Sequence, residues 1–125
     1  MTIVLDAGAL IAIDRGDRVL GAILKRERLA GRVPKTHGGV VGQAWRGGSP
    51  AANLARLLGT VDITALDEEL GRRVGSLLAR SRTSDVIDAA VTLLAVDGDE
   101  IFTSDPRDIA LLCEAANVSV DVIAV

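Results

Sequence analysis

The stretch from Thr83 to Asp105 constrains the fold of this chain more than any other. Thr83, Ser84 and Asp85 are helix-start residues, and Val86, Ile87, Ala89, Ala90, Val91, Leu93 and Leu94 follow as an apolar run of helical length, with Gly98 as the expected stop. A helix that is apolar on most of its sides is a buried one. Asp88 within it therefore lies in or beside the core, where a carboxylate needs partners or a cation. Glu100 to Thr103 then reads as a short strand, and Ser104-Asp105-Pro106 as a strand-to-helix turn. This order delivers Asp105 to the carboxyl edge of a sheet.

The rest of the chain repeats that rhythm. Thr2 to Leu5 is an apolar run too short for a helix and suited to a strand buried on both faces, and Asp6 follows it directly. Ala7 to Asp14 has helical spacing, Asp17 can cap a second helix through Ala30, and Gly31 ends it. Arg32 to Pro34 reads as a brief strand, with Thr36 as the cap of a helix carrying Val40, Val41, Ala44 and Trp45. Gly47-Gly48 stops that helix, and Ser49-Pro50 restarts one in the preferred cap-then-proline order. Val61 to Ile63 is a third strand, and Asp67-Glu68-Glu69 opens a helix with Leu70, Val74, Leu77 and Leu78 on one face. Pro106 to Asn117 is the last helix and Val118 to Val125 the last strand. Strands and helices alternating in this way predict an α/β three-layer sandwich around a central, mostly parallel sheet, formed by residues 1–125 as one domain. With 49% hydrophobic residues the chain has a core to match.

Charge and aromatic content narrow the function. A net charge of −3 argues against a broad phosphate-binding surface. Trp45 and Phe102 are the only aromatic rings, too few for a base-stacking platform, so any nucleic acid is handled at a small site. The single cysteine, Cys113, lies in an apolar helix and reads as a reduced core thiol, which with the lack of a signal peptide or a membrane-length apolar run suggests a cytoplasmic protein.

In a parallel sheet the ligand site lies outside the carboxyl ends of the strands, where Asp6 and Asp105 are expected. Asp85 and Asp88, three apart, share one helix face. Carboxylates gathered at one edge repel and raise one another's pKa unless a divalent cation neutralises them, and an all-oxygen set suits Mg²⁺ or Mn²⁺. Competing structural roles exist for most of these residues. Asp6, Asp85 and Asp105 are each suited to capping a helix, and Ser104 or Asp108 can share that work. Asp88, mid-helix among apolar neighbours, has the weakest structural explanation. Asp97, Asp99 and Glu100 read as turn and surface residues, His37 as an exposed first-turn residue without a partner, and Trp45 as core or dimer surface. Arg46, Arg82 and Arg107 read as solvated or paired, and their closeness in sequence to the acidic residues makes them candidates for substrate phosphate.

Leu5-Asp6, the helix segment Asp88-Ala-Ala-Val and Phe102-Thr-Ser-Asp105 together resemble the acidic motifs of the PIN-domain ribonucleases, and among them the VapC-like toxins of type II toxin-antitoxin pairs. The resemblance spans essentially the whole chain in element order. It implies a parallel sheet flanked by helices and a metal-dependent ribonuclease in which Asp6, Asp88 and Asp105 hold Mg²⁺ or Mn²⁺, with Asp85 as a further ligand. It also implies an RNA substrate, a homodimer and an antitoxin whose C-terminal segment covers the active-site groove. Where the family usually carries a glutamate on the helix after the second strand, this chain has Gln43, which offers an oxygen but no charge. That difference motivates a rival reading, a catalytically weakened domain that binds antitoxin or RNA. A receiver-type phosphoacceptor domain is a further rival, but its chemistry needs a lysine near the phosphate, and Lys25 and Lys35 sit on early elements.

Overall fold

Ile3, Val4 and Leu5 are all buried, and β1 (Ile3–Leu5) accordingly takes the middle of the sheet. A computed structural model describes residues 1–48 and 51–125. Around β1 stand β2 (Lys35–His37) and β3 (Asp62–Thr64) on one side and β4 (Glu100–Thr103) and β5 (Asp121–Ala124) on the other, in the order β3-β2-β1-β4-β5 with every pairing parallel. The expected mostly parallel sheet is thus wholly parallel among the described strands.

Seven α-helices lie among the described residues: α1 (Ala7–Asp14), α2 (Arg18–Leu29), α3 (Gly38–Ala44), α4 (Ala52–Leu58), α5 (Glu68–Ser81), α6 (Val86–Leu94) and α7 (Pro106–Ala116). From β1 the chain steps outward to β3, then crosses back to β4 and continues to β5. Right-handed crossovers in opposite directions place α1 to α4 on one face and α5 to α7 on the other. The packing agrees, since α1 touches α2, α3 and α4 while α5, α6 and α7 pack on one another. The result is the three-layer α/β sandwich. Strand order reverses between β1 and β4, so the crevice outside their carboxyl ends is the switch point where ligands bind in sheets of this kind.

Local signals place most boundaries. Asp17 accepts a hydrogen bond from the Leu20 N–H at 2.9 Å, and Asp67 accepts one from the Leu70 N–H at 2.9 Å, so both serve as the expected helix caps. Along α5 the expected face forms, with Leu70, Val74 and Leu77 buried and Leu78 packed against them.

Several expectations fail for identifiable reasons. The second strand is Lys35–His37 and not Arg32 to Pro34: Pro34 has no N–H for the ladder, and its carbonyl only receives the Asp62 N–H at 2.8 Å. Thr36 is consequently a strand residue, its hydroxyl donating to the Leu5 carbonyl at 2.7 Å, and His37 caps α3 in its place. The third strand is shifted by one residue, and the last begins at Asp121 because Asn117, in the left-handed region, and Val118 first close the end of α7. Helix α6 stops at Leu94 without Gly98, which instead takes φ +89 in the turn leading to β4. The helix start expected at Ser49-Pro50 lies outside the described residues. No helix of the described residues is long and apolar enough to cross a membrane.

Candidate metal centre

Asp6 leaves the sheet at the end of β1 and caps α1. Its Oδ1 accepts the Ala9 N–H at 2.9 Å, and its Oδ2 accepts the Ser104 N–H at 3.2 Å, from the turn that follows β4. One carboxylate therefore ties the two central strand ends together. The approach depends on a glycine: a Cβ on Gly8 would lie 2.5 Å from the Ser104 Oγ and 3.2 Å from the Ser104 nitrogen. Sequence reading did not single out Gly8, because nothing local to α1 signals a contact with a turn almost a hundred residues away.

Asp105 occupies the N-cap position of α7, yet its side chain makes no capping bond. Pro106 at the first helical position leaves one fewer first-turn amide to satisfy, and the Asp105 N–H is itself turned to the Thr103 Oγ1 at 2.9 Å. Its carboxylate is left exposed at the edge. Asp88 arrives from above on α6, with its backbone N–H held by the Asp85 side chain at 2.9 Å. It is only 7% exposed, and no donor among the described residues reaches its carboxylate oxygens.

One carboxylate oxygen from each of Asp6, Asp88 and Asp105 lies within 4.8 Å of the other two. These three side chains are the ones that would hold a single divalent cation, once they drew together around it. Burial, followed by the negative charges of Asp85, Asp105, Asp6 and Asp108, raises the Asp88 carboxyl from 3.8 to about 7. A buried acid without donors, facing other carboxylates, is the arrangement a hard divalent cation relieves. The donor chemistry fits Mg²⁺ or Mn²⁺.

The remaining candidates are placed as follows. Asp85 caps α6 and belongs with Asp108 to the outer carboxylates whose charge Asp88 feels, outside the three-oxygen group. Gln43 is exposed on the last turn of α3. Arg46 donates to the Trp45 carbonyl at 2.8 Å and the Gly42 carbonyl at 3.4 Å, and so closes its own helix end. Arg82 ends α5 in the left-handed region at φ 57, and Arg107 lies in the first turn of α7; both are exposed and neither is in an ion pair among the described residues. Trp45 is 40% exposed.

Two expectations are overturned. His37 is not exposed but fully buried at the end of β2, with Nδ1 accepting the Gly39 N–H at 3.0 Å and Nε2 3.0 Å from the Ile87 carbonyl. Asp99 is not a surface residue either: it is buried and accepts from the Thr2 N–H at 2.8 Å, the Val96 N–H at 2.9 Å and Lys35 Nζ at 3.1 Å. Burial works to raise its carboxyl, but these partners outweigh it and the pKa is lowered. Lys35 is thereby committed at the start of β2, away from the carboxyl edge that a phosphoacceptor's lysine would have to serve. Cys113 is buried, and burial raises its thiol, as befits a core residue. A cleft of about 250 Å³ opens elsewhere, between Leu24, Lys25, Arg28 and Leu57, and contains none of the carboxylates.

The chain matches no protein-family model, and a search of curated proteins finds none similar to it.

Proposed function

We propose that the protein is a Mg²⁺- or Mn²⁺-dependent ribonuclease with the PIN-domain arrangement, acting as the toxin of a type II toxin-antitoxin pair. The observation that carries this reading is the convergence of Asp6, Asp88 and Asp105 at the switch point of a parallel sheet, where burial and then the neighbouring carboxylates raise the Asp88 carboxyl to about 7. In this reading all three hold the cation, and Asp85 and Asp108 add negative field around them. When bound there, a divalent cation supplies a Lewis acid for a phosphodiester oxygen and makes water a stronger nucleophile at neutral pH. The exposed guanidinium groups of Arg82 and Arg107 are available to a substrate phosphate. The partners proposed with this reading are RNA, a second copy of the chain and an antitoxin, in the cytoplasm.

A panel of RNAs incubated with purified protein, with Mg²⁺, Mn²⁺ or chelator, tests the assignment. Cleavage should require metal and vanish in Asp6→Asn and Asp105→Asn; Asp105→Asn should keep the melting temperature because the Asp105 side chain makes no capping bond, whereas asparagine at position 6 still caps α1 through its one oxygen but loses the bond from the Ser104 N–H. Metal binding without cleavage of any RNA would favour the rival binding module. Cleavage that survives both substitutions would refute the assignment.

A further inference from the structure

The chain departs from the pattern of a buried parallel strand at one place. β1 is apolar throughout and β4 at its centre, Ile101-Phe102, as strands covered on both faces should be, but β2 reads Lys35-Thr36-His37, with Thr36 and His37 fully buried. Residues two apart in a strand share a face, and Lys35 and His37 use that face to hold the two ends of one helix. Lys35 Nζ donates to the Leu94 carbonyl at 2.9 Å, at the last residue of α6, and the His37 ring meets the Ile87 carbonyl at 3.0 Å, in its first turn. The Gly39 amide can only donate, so Nδ1 is the acceptor and the single ring proton sits on Nε2, directed at Ile87. The ring is closely enclosed: a Cβ on Gly39 would lie 2.9 Å from its Cε1 and 2.5 Å from the Ile87 Cδ1. Ile87 immediately precedes Asp88.

We propose that His37 is a positioning residue: its Nε2–H fixes the first turn of α6 against β2 and so places the Asp88 carboxylate beside Asp6 and Asp105. The inference rests on the metal-centre reading for its consequence and on geometry for its cause. Asp88 has no donor among the described residues and stands beside other carboxylates, so its place depends on what holds the first turn of α6, namely the packing of Ile87, Ala89 and Ala90 and the bond from His37 to the Ile87 carbonyl. Elsewhere on that turn the Asp85 cap binds the Asp88 N–H, which orders the helix internally but does not tie it to the sheet. His37 supplies that tie.

Two substitutions separate the two ring nitrogens. His37→Asn keeps an acceptor near the Nδ1 position for Gly39 but cannot reach Ile87, whereas His37→Gln places an amide donor near the Nε2 position. Mn²⁺ binding by calorimetry should weaken about tenfold in His37→Asn, the size of effect seen when partners behind metal ligands are removed, and recover in His37→Gln. In metal-free protein, hydrogen exchange of the Ala89 to Thr92 amides should quicken in His37→Asn only. Wild-type affinity and exchange in His37→Asn would overturn the proposal and leave the carboxylate site standing. If wild-type protein binds no divalent ion, the metal reading falls and the exchange comparison alone decides: quickening rescued by His37→Gln supports the positioning role, and its absence overturns it. If both variants unfold at the assay temperature, the imidazole is a requirement of the fold and not a device of the site, which also overturns it.

Discussion

Asp88 makes the metal-free protein pay for its site, and the cost can be measured. An ordinary aspartate in the unfolded chain titrates at 3.8, whereas Asp88 in the folded protein titrates at about 7. Between those values the native state holds a proton that the unfolded state has released, so stability falls as pH rises through this window and stays low above it. The distance from 3.8 to about 7 corresponds to about 4 kcal/mol. Part of the effect comes from carboxylates at the open edge, where solvent screens them, so a loss of about 2 to 4 kcal/mol is the expectation. The carboxamide introduced by Asp88→Asn matches the shape of the neutral acid and cannot ionise. At pH 5 the unfolded aspartate has already released its proton, which costs metal-free wild type about 1.6 kcal/mol relative to Asp88→Asn, and by pH 8 the gap should widen to about 2 to 4 kcal/mol, or roughly 10 °C for a domain of this size. Mn²⁺ at a hundred times its dissociation constant should return about 2.7 kcal/mol to the wild type at pH 8 and nothing to the variant. Urea and thermal melts at both pH values, in chelator and in Mn²⁺, supply the comparison. Parallel pH profiles for the two proteins, or equal stabilisation of both by Mn²⁺, would refute the reasoning.

Gly8→Ala should lower stability by about 1 to 3 kcal/mol, as overpacking does, and weaken Mn²⁺ binding, because the added methyl pushes the Ser104 turn and Asp105 with it away from Asp6; an unchanged melt would show that the turn yields freely. Asp85→Asn should cost less metal affinity than Asp88→Asn, since asparagine preserves the cap on the Asp88 N–H and only an outer charge is lost; side-by-side calorimetry decides, and equal losses would place Asp85 among the ligands. Gln43→Glu should tighten Mn²⁺ binding roughly tenfold to a hundredfold, or by about 1 to 3 kcal/mol. Unchanged affinity would mean that this exposed side chain does not face the carboxylates.

Much of the layer order was legible because it rests on period and punctuation. The apolar run of β1, the apolar length of α6 on either side of Asp88 and the aspartates ahead of α2, α5 and α6 are local signals, and the structure uses each as local physics requires. The errors gather where a distant partner decides. Asp99 looks like a turn residue until Thr2 and Lys35 are brought to it, and His37 looks like a solvated histidine until Ile87, fifty residues later, meets its ring. Strand β2 was misplaced for the same reason. Lys35-Thr36-His37 has the composition of a loop and becomes a central strand only because β1 and β3 flank it and its polar groups find fixed partners there.

Capping and cation binding were opposed for Asp6 and Asp105 when only the sequence was considered, and the geometry dissolves the opposition differently at each. A carboxylate has two oxygens and about four lone-pair sites, so Asp6 can accept Ala9 on one oxygen and Ser104 on the other and retain capacity for a cation. The two N–H groups fix its orientation without discharging it. Asp105 takes the other course: Pro106 reduces the need for a cap, Thr103 engages its backbone, and the side chain is left without a structural task. Asp88 has its backbone held through Ile87 by His37 and its own amide held by Asp85, while its carboxylate is left bare. In all three residues the hydrogen bonds position the group and leave its negative charge uncompensated by any cationic side chain among the described residues, which raises the energy of the protein and, in the proposed reading, would strengthen its hold on a divalent ion.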